Sequence, residues 1–519
     1  MARLLNLCCG KDKTLPIETV FRLSSTLPTP PQGEGFASGS IDLGGLQVCQ
    51  VTSFTKVWST REGGPGNLGS SFFEPSQVPE GFSVLGYYAQ PNNKPLFGWV
   101  LAGKDLTGDP FRGALKMPVD FTLVWSSESL KIKQDGIGYI WLPNPPEGYK
   151  ALGYVVTNSP TKPPLDKIRC VHSTFTDLCQ RHNWIWGLRK KRNTVEFNVY
   201  SLRPTIRGTK ALGISTGAFL VENCGDFTSL ACLKNTNPNY LSSMPNLDQV
   251  HNLIQAYSPC IYFHPSEKYF PSSVSWFFEN GALLYQEGEG LEPVPVDPTG
   301  SNLPQGGSDD GAFWLDLPRH GKSKKRGKKG NLEEAEVYLH IKPMLGATFT
   351  DIAIWARIFG LVDVSLGKIG EHVGDWEHLT LRVSNFNGEL RSAYLSQHSK
   401  GTWVEASELE FQDGSARPVI YASVNGHALY PRPGSALQGK GGIGVTNDTA
   451  RSKKLMDTGA RFQVVAADYL GPAIVEPPWL NYLGEWGPKL AILLLGKEGP
   501  LGPKMKRNWS GDEEEFEKD

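Results

Sequence analysis

The stretch GKIGEHVGDWEHLTLRV, Gly367 to Val383, sets two histidines, two glutamates and an aspartate against an apolar tail. Imidazoles and carboxylates at this density can ligate a divalent cation or exchange protons. The alternation in the tail predicts a strand, and in a strand residues i and i+2 share a face. Asp375 and Glu377 are therefore expected on the side of Leu379, Leu381 and Val383, the inward side. Ionised carboxylates there are costly unless paired, hydrogen-bonded or bound to a metal.

The elements around the stretch supply further ligand types. Asn387-Gly388 is a strong hairpin signal. With these two as its central residues, Glu377 faces His398 on the same side of the sheet, and a one-residue change of turn length would shift that pairing. His372 precedes the strand, and His427, in NGHALYP, ends a later one. His372, Asp375, Glu377, His398 and His427 form the candidate metal cluster. Carboxylate-rich sites favour Ca²⁺, Mg²⁺ or Mn²⁺ over Zn²⁺. The competing reading makes Trp376 a core anchor and leaves the acids to cap turns or pair with Arg382 or Arg391. His264 and Glu267, in YFHPSEKY, are a second candidate pair. His378 is expected on the opposite face, away from the cluster.

Two other motifs carry less chemistry. Gly213-Ile-Ser215-Thr-Gly217 matches the nucleophile-elbow pattern, which requires a strand-to-helix turn with His and acid partners. The repeat described below aligns Leu212-Gly213 with Leu85-Gly86 and Leu152-Gly153, where no serine follows, so Ser215 is read as structural. Gly439-Lys-Gly441-Gly-Ile-Gly444 matches a dinucleotide fingerprint without the strand-then-helix frame, and is read as a flexible loop.

At 519 residues the chain is long enough for two to four domains. A formal net charge of −1 gives no electrostatic case for nucleic acid. Eight cysteines without a CxxC pair are read as reduced thiols of an intracellular, cytoplasmic protein. No segment approaches the ~20 apolar residues of a membrane helix. The N-terminal MARLLNLCCGKDK is read as an unmodified tail, since Ala2 removes any myristoylation signal, with Cys8-Cys9 as the alternative acylation site.

The first half repeats itself. FTKVWST from Phe54 and FTLVWSS from Phe121 are each followed by a Pro-Glu-Gly-aromatic turn, Pro79–Phe82 and Pro146–Tyr149, and a third, shorter copy runs from Phe197. Three strand–turn–strand units predict a β-prism-like domain over 41–235, with pseudo-threefold symmetry, after an N-terminal tail, 1–40. A linker with a short helix capped by Asn246 spans 236–255. An antiparallel β-sandwich is expected over 256–485, with a solvated loop inserted at 286–335 that contains GKSKKRGKKG. The acidic end WSGDEEEFEKD, within a C-terminal tail at 486–519, is expected to be disordered.

Nearly the whole chain resembles the plant Vps62-related family, whose function is uncharacterised. The resemblance is carried by PQGEGFASG from Pro31, YFHPSEKYFPSSVSWFF, GEHVGDWEHLTLRVSNFNGEL and PKMKRNWSGDE. It implies a peripheral endomembrane or vacuolar-sorting role, with a membrane surface or trafficking proteins as partners. The chain is shorter than that pattern after Ile354-Trp355 and after Trp486-Gly487-Pro488. The opening motif is also similar to the GHRHDWE of necrosis-inducing NPP1-like proteins, where acidic and histidine residues hold a divalent cation on a β-sandwich. His372, Asp375, Trp376 and Glu377 match it, whereas Gly374 replaces its second histidine and Glu371 its glycine. The expected function is a non-enzymatic binding protein with a cation site. The alternatives are a metal-dependent hydrolase or a lectin- or cytolysin-like membrane-active sandwich.

Overall fold

The structure, a computed structural model, describes residues 19–23, 35–109, 111–188, 197–223, 226–227, 230–308, 310–318, 329–361, 371–398, 400–440, 443–487 and 500–516. For 226–227, 359–361, 371–374, 438–440 and 443–445 only the backbone is described. The chain is mainly β, built from several largely antiparallel sheets. It divides into two compact units. One comprises Met1–Arg22, Val48–Arg203 and Ser215–Leu233; the other comprises Leu23–Gln47, Pro204–Ile214 and Lys234–Asp519.

In the first unit, three antiparallel strand sets follow the sequence repeat. They are Phe54–Ser59 with Ser70–Pro75 and Tyr88–Pro91; Asp120–Ser126 with Tyr139–Asn144 and Val155–Thr157; and Thr176–Gly187 with Phe197–Pro204 and Phe219–Asn223. Their inward aromatics join one core, with Trp58 and Phe72, Tyr139 and Trp141, and Trp186, Phe197 and Phe219 among its members. Trp58 stacks on Phe72 at 4.9 Å and meets Trp186 edge-on at 5.7 Å. Two glycines set the close approach of the copies. A Cβ on Gly86 would lie 2.8 Å from the Ala218 Cβ and 3.1 Å from the Gly153 Cα. The third equivalent of Gly86 and Gly153 is therefore Ala218, not Gly213, and the expected alignment of Leu212-Gly213 is corrected by five residues. Ser215 Oγ donates to the Leu202 carbonyl at 3.1 Å, a structural role.

In the second unit, Asn246 caps the helix Leu247–Tyr257 as expected. Its side chain accepts from Gln249 N, and Gln249 Oε1 accepts from Asn246 N, both at 2.9 Å. Val250, Leu253, Ile254 and Tyr257 recur at helical spacing and are buried. The main sheet has six strands in the order Lys400–Glu405, Leu390–Gln397, Glu371–Ser384, Phe349–Leu361, Val337–Met344, Phe462–Ala466. The last pair is parallel. One face of this sheet packs on a smaller sheet in which Cys260–Phe263 runs parallel to Pro418–Ala422. These two parallel pairs stand within the largely antiparallel arrangement expected.

Three further segments differ from expectation. The stretch read as a solvated loop contributes two strands, Val294–Pro295 and Phe313–Asp316, to a three-stranded sheet whose middle strand is Leu283–Gln286, with Tyr285 stacked on Trp314 at 5.5 Å. Residues 321–328 of its basic run lie outside the described residues. The ends of the glycine-rich motif at 439–444 lie in paired strands, with Gly439 opposite Gly444, and residues 441–442 lie outside the described residues. The acidic end is ordered through Phe516: Gly401 N donates to the Glu514 carbonyl at 3.0 Å, and Tyr394 Oη to the same carbonyl at 2.6 Å.

Candidate cation site

Strand Glu371–Ser384 pairs along Phe349–Leu361, with Ile358 opposite Asp375 and Ala356 opposite Glu377. Parity holds as the sequence predicts. Glu377 and Leu379 line one face, where with Ile261, Phe263, Ala422 and Met456 they enclose a cavity of ≈ 20 Å³. That volume admits about one water.

Asp375 is half-buried. Its Oδ1 accepts from Trp376 N at 2.8 Å and lies 4.0 Å from Lys506 Nζ. Lys506 also donates to the Trp376 carbonyl. Glu377 Oε2 accepts from Ser396 Oγ at 2.8 Å. Burial, and then the charge of Asp375, push the Glu377 carboxyl up to about 7, against the opposing pull of Lys506, Ser396 and His427.

His427 is buried, with Nε2 3.2 Å from the Tyr269 carbonyl and 3.3 Å from Glu267 Oε2. Burial disfavours its imidazolium, but Glu267, Glu377 and the Tyr269 carbonyl outweigh burial and hold its pKa above the ordinary value. Glu267 accepts from the amides of Lys268, Tyr269 and Asn425. Burial works against its charge, yet His427 and the amides hold it down at about 2. The second candidate pair is thus divided. Glu267 meets His427, whereas His264 Nδ1 accepts locally from Ser266 N at 3.1 Å.

His398 is not opposite Glu377. Leu379 pairs with Leu395 and Thr380 with Tyr394, a register that carries Gln397 towards Glu377. The hairpin loop is longer than two residues, since Ser384 N donates to the Glu389 carbonyl, and a bulge follows at Arg382/Val383. Exposed His398 sits at a hairpin tip with φ 62° and places Nε2 3.3 Å from Asn447 Oδ1. It lies beside Gly426, the chain neighbour of His427, where an added Cβ would meet its Cε1 at 3.3 Å. The side chain of His372 lies outside the described residues. Among the described residues no three His, Cys, Asp or Glu side chains converge as a ready ligand set.

The other face of the strand holds Trp376 and His378, together with the partnership with Glu513 that sequence reasoning missed. Trp376 is fully buried, stacked on Trp479 at 5.5 Å and edge-on to Trp486 at 5.0 Å, so it is a core anchor. His378 Nε2 lies 3.0 Å from Glu513 Oε2, and Thr380 Oγ1 donates to Glu513 Oε1 at 2.6 Å. Lys342 Nζ donates to the Asn508 carbonyl at 2.9 Å and pairs with Glu513. Arg382 grips Asp351 through Nε at 2.8 Å and Nη2 at 2.7 Å, and reaches Asp512 at 2.9 Å. Arg207 also holds Asp512, at 2.9 Å. Asp512 and Glu513 of the acidic end are therefore paired with cations far away in sequence. Arg391 pairs with Glu389 at 2.7 Å, so neither arginine serves the candidate acids.

Among the described residues no helix is long and apolar enough to cross a membrane. Similar solved structures include GNIP1Aa from Chromobacterium piscinae, at 20% identity and TM-score 0.30 over 41% of this chain and 40% of that one. The chain thus spans well under half of GNIP1Aa. A protein described under "Toxin fold as basis for microbial attack and plant defense" is 14% identical, with TM-score 0.22 over 41% of this chain and 78% of its own. NLPPya in complex with glucosamine is likewise 14% identical, at TM-score 0.22 over 42% and 78%. A comparison with curated proteins gives no match. The family model for vacuolar protein sorting-associated protein 62 matches residues 17–493, nearly the whole chain, and the chain belongs to the Vps62 family.

Proposed function

We propose that this Vps62-family chain is a non-enzymatic binding protein of the endomembrane system. It docks on a membrane surface or a trafficking partner, with a divalent cation held at Asp375 and Glu377. One observation carries the cation reading. Two carboxylates share one strand face, and burial together with the Asp375 charge forces Glu377 to about 7. A divalent cation relieves that excess of negative charge. Oxygen donors favour Ca²⁺, Mg²⁺ or Mn²⁺. His372 and His398 are the imidazoles proposed to complete the site, His427 Nε2 being held by the Tyr269 carbonyl and Glu267, and Lys506 supplies the positive charge nearest Asp375 when no cation is bound. Flotation of the full chain with phosphatidylserine-containing vesicles tests the reading. Binding with Ca²⁺ that is lost in chelator and in Asp375→Ala/Glu377→Ala supports it; equal flotation, or none, in all three arms contradicts it.

A second reading rests on the same carboxyl. A glutamate near pH 7 is matched to general-base work, as a metal-dependent hydrolase would require. Turnover of ester or phosphoester substrates that disappears in Glu377→Gln would favour it.

A further inference from the structure

Cys179 lies in strand Thr176–Gly187 and Cys232 in strand Ala231–Lys234, which pair antiparallel with Asp177 opposite Cys232 and Leu178 opposite Ala231. Cys179 and Asp177 share a face, and directly opposed residues share a face, so the two cysteines are diagonal neighbours on one side of the sheet. Both side chains pack on the same aromatic core. Both are free thiols, and the Cys232 thiol donates a hydrogen bond to the Cys179 sulfur. The Cys179 thiol itself donates to the Leu230 carbonyl at 3.1 Å. The two differ in access. Cys232 is fully buried, whereas Cys179 is half-exposed beside Leu178, which is 74% exposed.

We propose that Cys179 and Cys232 form a two-thiol redox site that a hydroperoxide converts reversibly into an intramolecular disulfide. Cys179 is the attacking sulfur and Cys232 the resolving one. The Cys179 thiolate attacks the terminal peroxide oxygen and the O–O bond breaks. A sulfenic acid forms, and the other oxygen leaves as water or an alcohol. The Cys232 sulfur then attacks the Cys179 sulfur, the S–O bond breaks, and hydroxide leaves and takes up the Cys232 proton as water. In sum, two thiols and one hydroperoxide give one disulfide, one water and one further water or alcohol. The two electrons that reduce the peroxide come from the sulfurs, and a dithiol reductant returns them.

The surroundings make the site selective. The hydrogen bond from Cys232 favours the Cys179 thiolate, and its pKa falls below the ordinary thiol value despite partial burial. Burial instead pushes Cys49 and Cys170 up to about 12 and also raises Cys260. Cys179 is therefore shifted towards its thiolate, whereas the thiols at those three positions are shifted away from theirs.

The test uses the full chain, treated with hydrogen peroxide, blocked with iodoacetamide and mapped by non-reducing peptide mass spectrometry. The expected result is a Cys179–Cys232 cross-link, removed by dithiothreitol and absent in Cys179→Ser. Alkylation of Cys179 at pH 7 is expected to be at least about tenfold faster than that of Cys49 or Cys170. Wild-type mapping decides the matter even if a variant folds poorly. A cross-link from Cys179 to Cys224 instead, over-oxidation of Cys179 without a cross-link, or no preference among the thiols would each overturn the proposal.

Discussion

Lys342 and Glu513 form an ion pair with both side chains wholly excluded from solvent, Nζ to Oε1 3.5 Å. Residues 508–513 thereby attach to Val337–Met344, the strand next to the sheet's parallel edge. Glu513→Ala leaves Lys342 as a buried charge with the Asn508 carbonyl as a remaining acceptor. The expected loss is on the order of 3–5 kcal/mol, and an apolar replacement of both partners should cost less than the single change. Urea denaturation of the single and double variants measures both.

The same carboxylate sets an acid limit. Burial alone would raise its pKa, but Lys342, His378 and Thr380 outweigh burial and hold it well below the ordinary carboxylate range. A depressed folded-state pKa stabilises above the unfolded value of about 4.3, and that stability fades as pH falls towards the folded value. Resistance of the C-terminal segment to proteolysis should therefore hold at pH 7 and decline below about pH 4. Glu513→Gln should start weaker at pH 7 and show a flatter acid decline.

Arg382 joins Asp351, Asp512 and, with its guanidinium 4.1 Å above the ring, Trp403. Lysine cannot reproduce the fork that grips Asp351. Arg382→Lys is expected to lose roughly 1–3 kcal/mol, and Arg382→Met more, since it strands Asp351 in the interior. Denaturant midpoints with near-ultraviolet circular dichroism would rank the two.

Trp376 belongs to the core although it sits between the two candidate acids. Trp376→Ala should cost about 3–5 kcal/mol through the cavity left among Trp479, Trp486 and Tyr338. Trp376→Phe should cost less. A loss of vesicle or cation binding by Trp376→Ala that Trp376→Phe restores would reflect folding, and calorimetric melting of both variants checks this.

The sequence made the mainly β character legible through its alternating apolar runs and its repeat. Strand parity correctly put Glu377 with Leu379 and His378 on the far face. The register was less legible, because a loop two residues longer than the expected turn and the bulge at Arg382/Val383 together shift it by one residue and carry Gln397, not His398, towards Glu377. The repeat alignment failed at its third copy for a related reason: what is preserved is a close backbone approach, which Ala218 satisfies as well as glycine. The acidic end looked disordered because composition reports local charge alone. Its partners Lys342, His378, Arg382 and Arg207 stand 130 or more residues away. Glu267 was visible as a candidate, but its meeting with His427 depends on the parallel pairing of Cys260–Phe263 with Pro418–Ala422.

The central claim is that Asp375 and Glu377 hold a divalent cation. Isothermal titration of the chelator-treated full chain with Ca²⁺, beside Asp375→Ala/Glu377→Ala of matched fold, tests it most directly. One saturable site is expected in the wild-type chain and none in the variant. Equal binding by both, or no binding by the wild-type chain to Ca²⁺, Mg²⁺ or Mn²⁺, would contradict it.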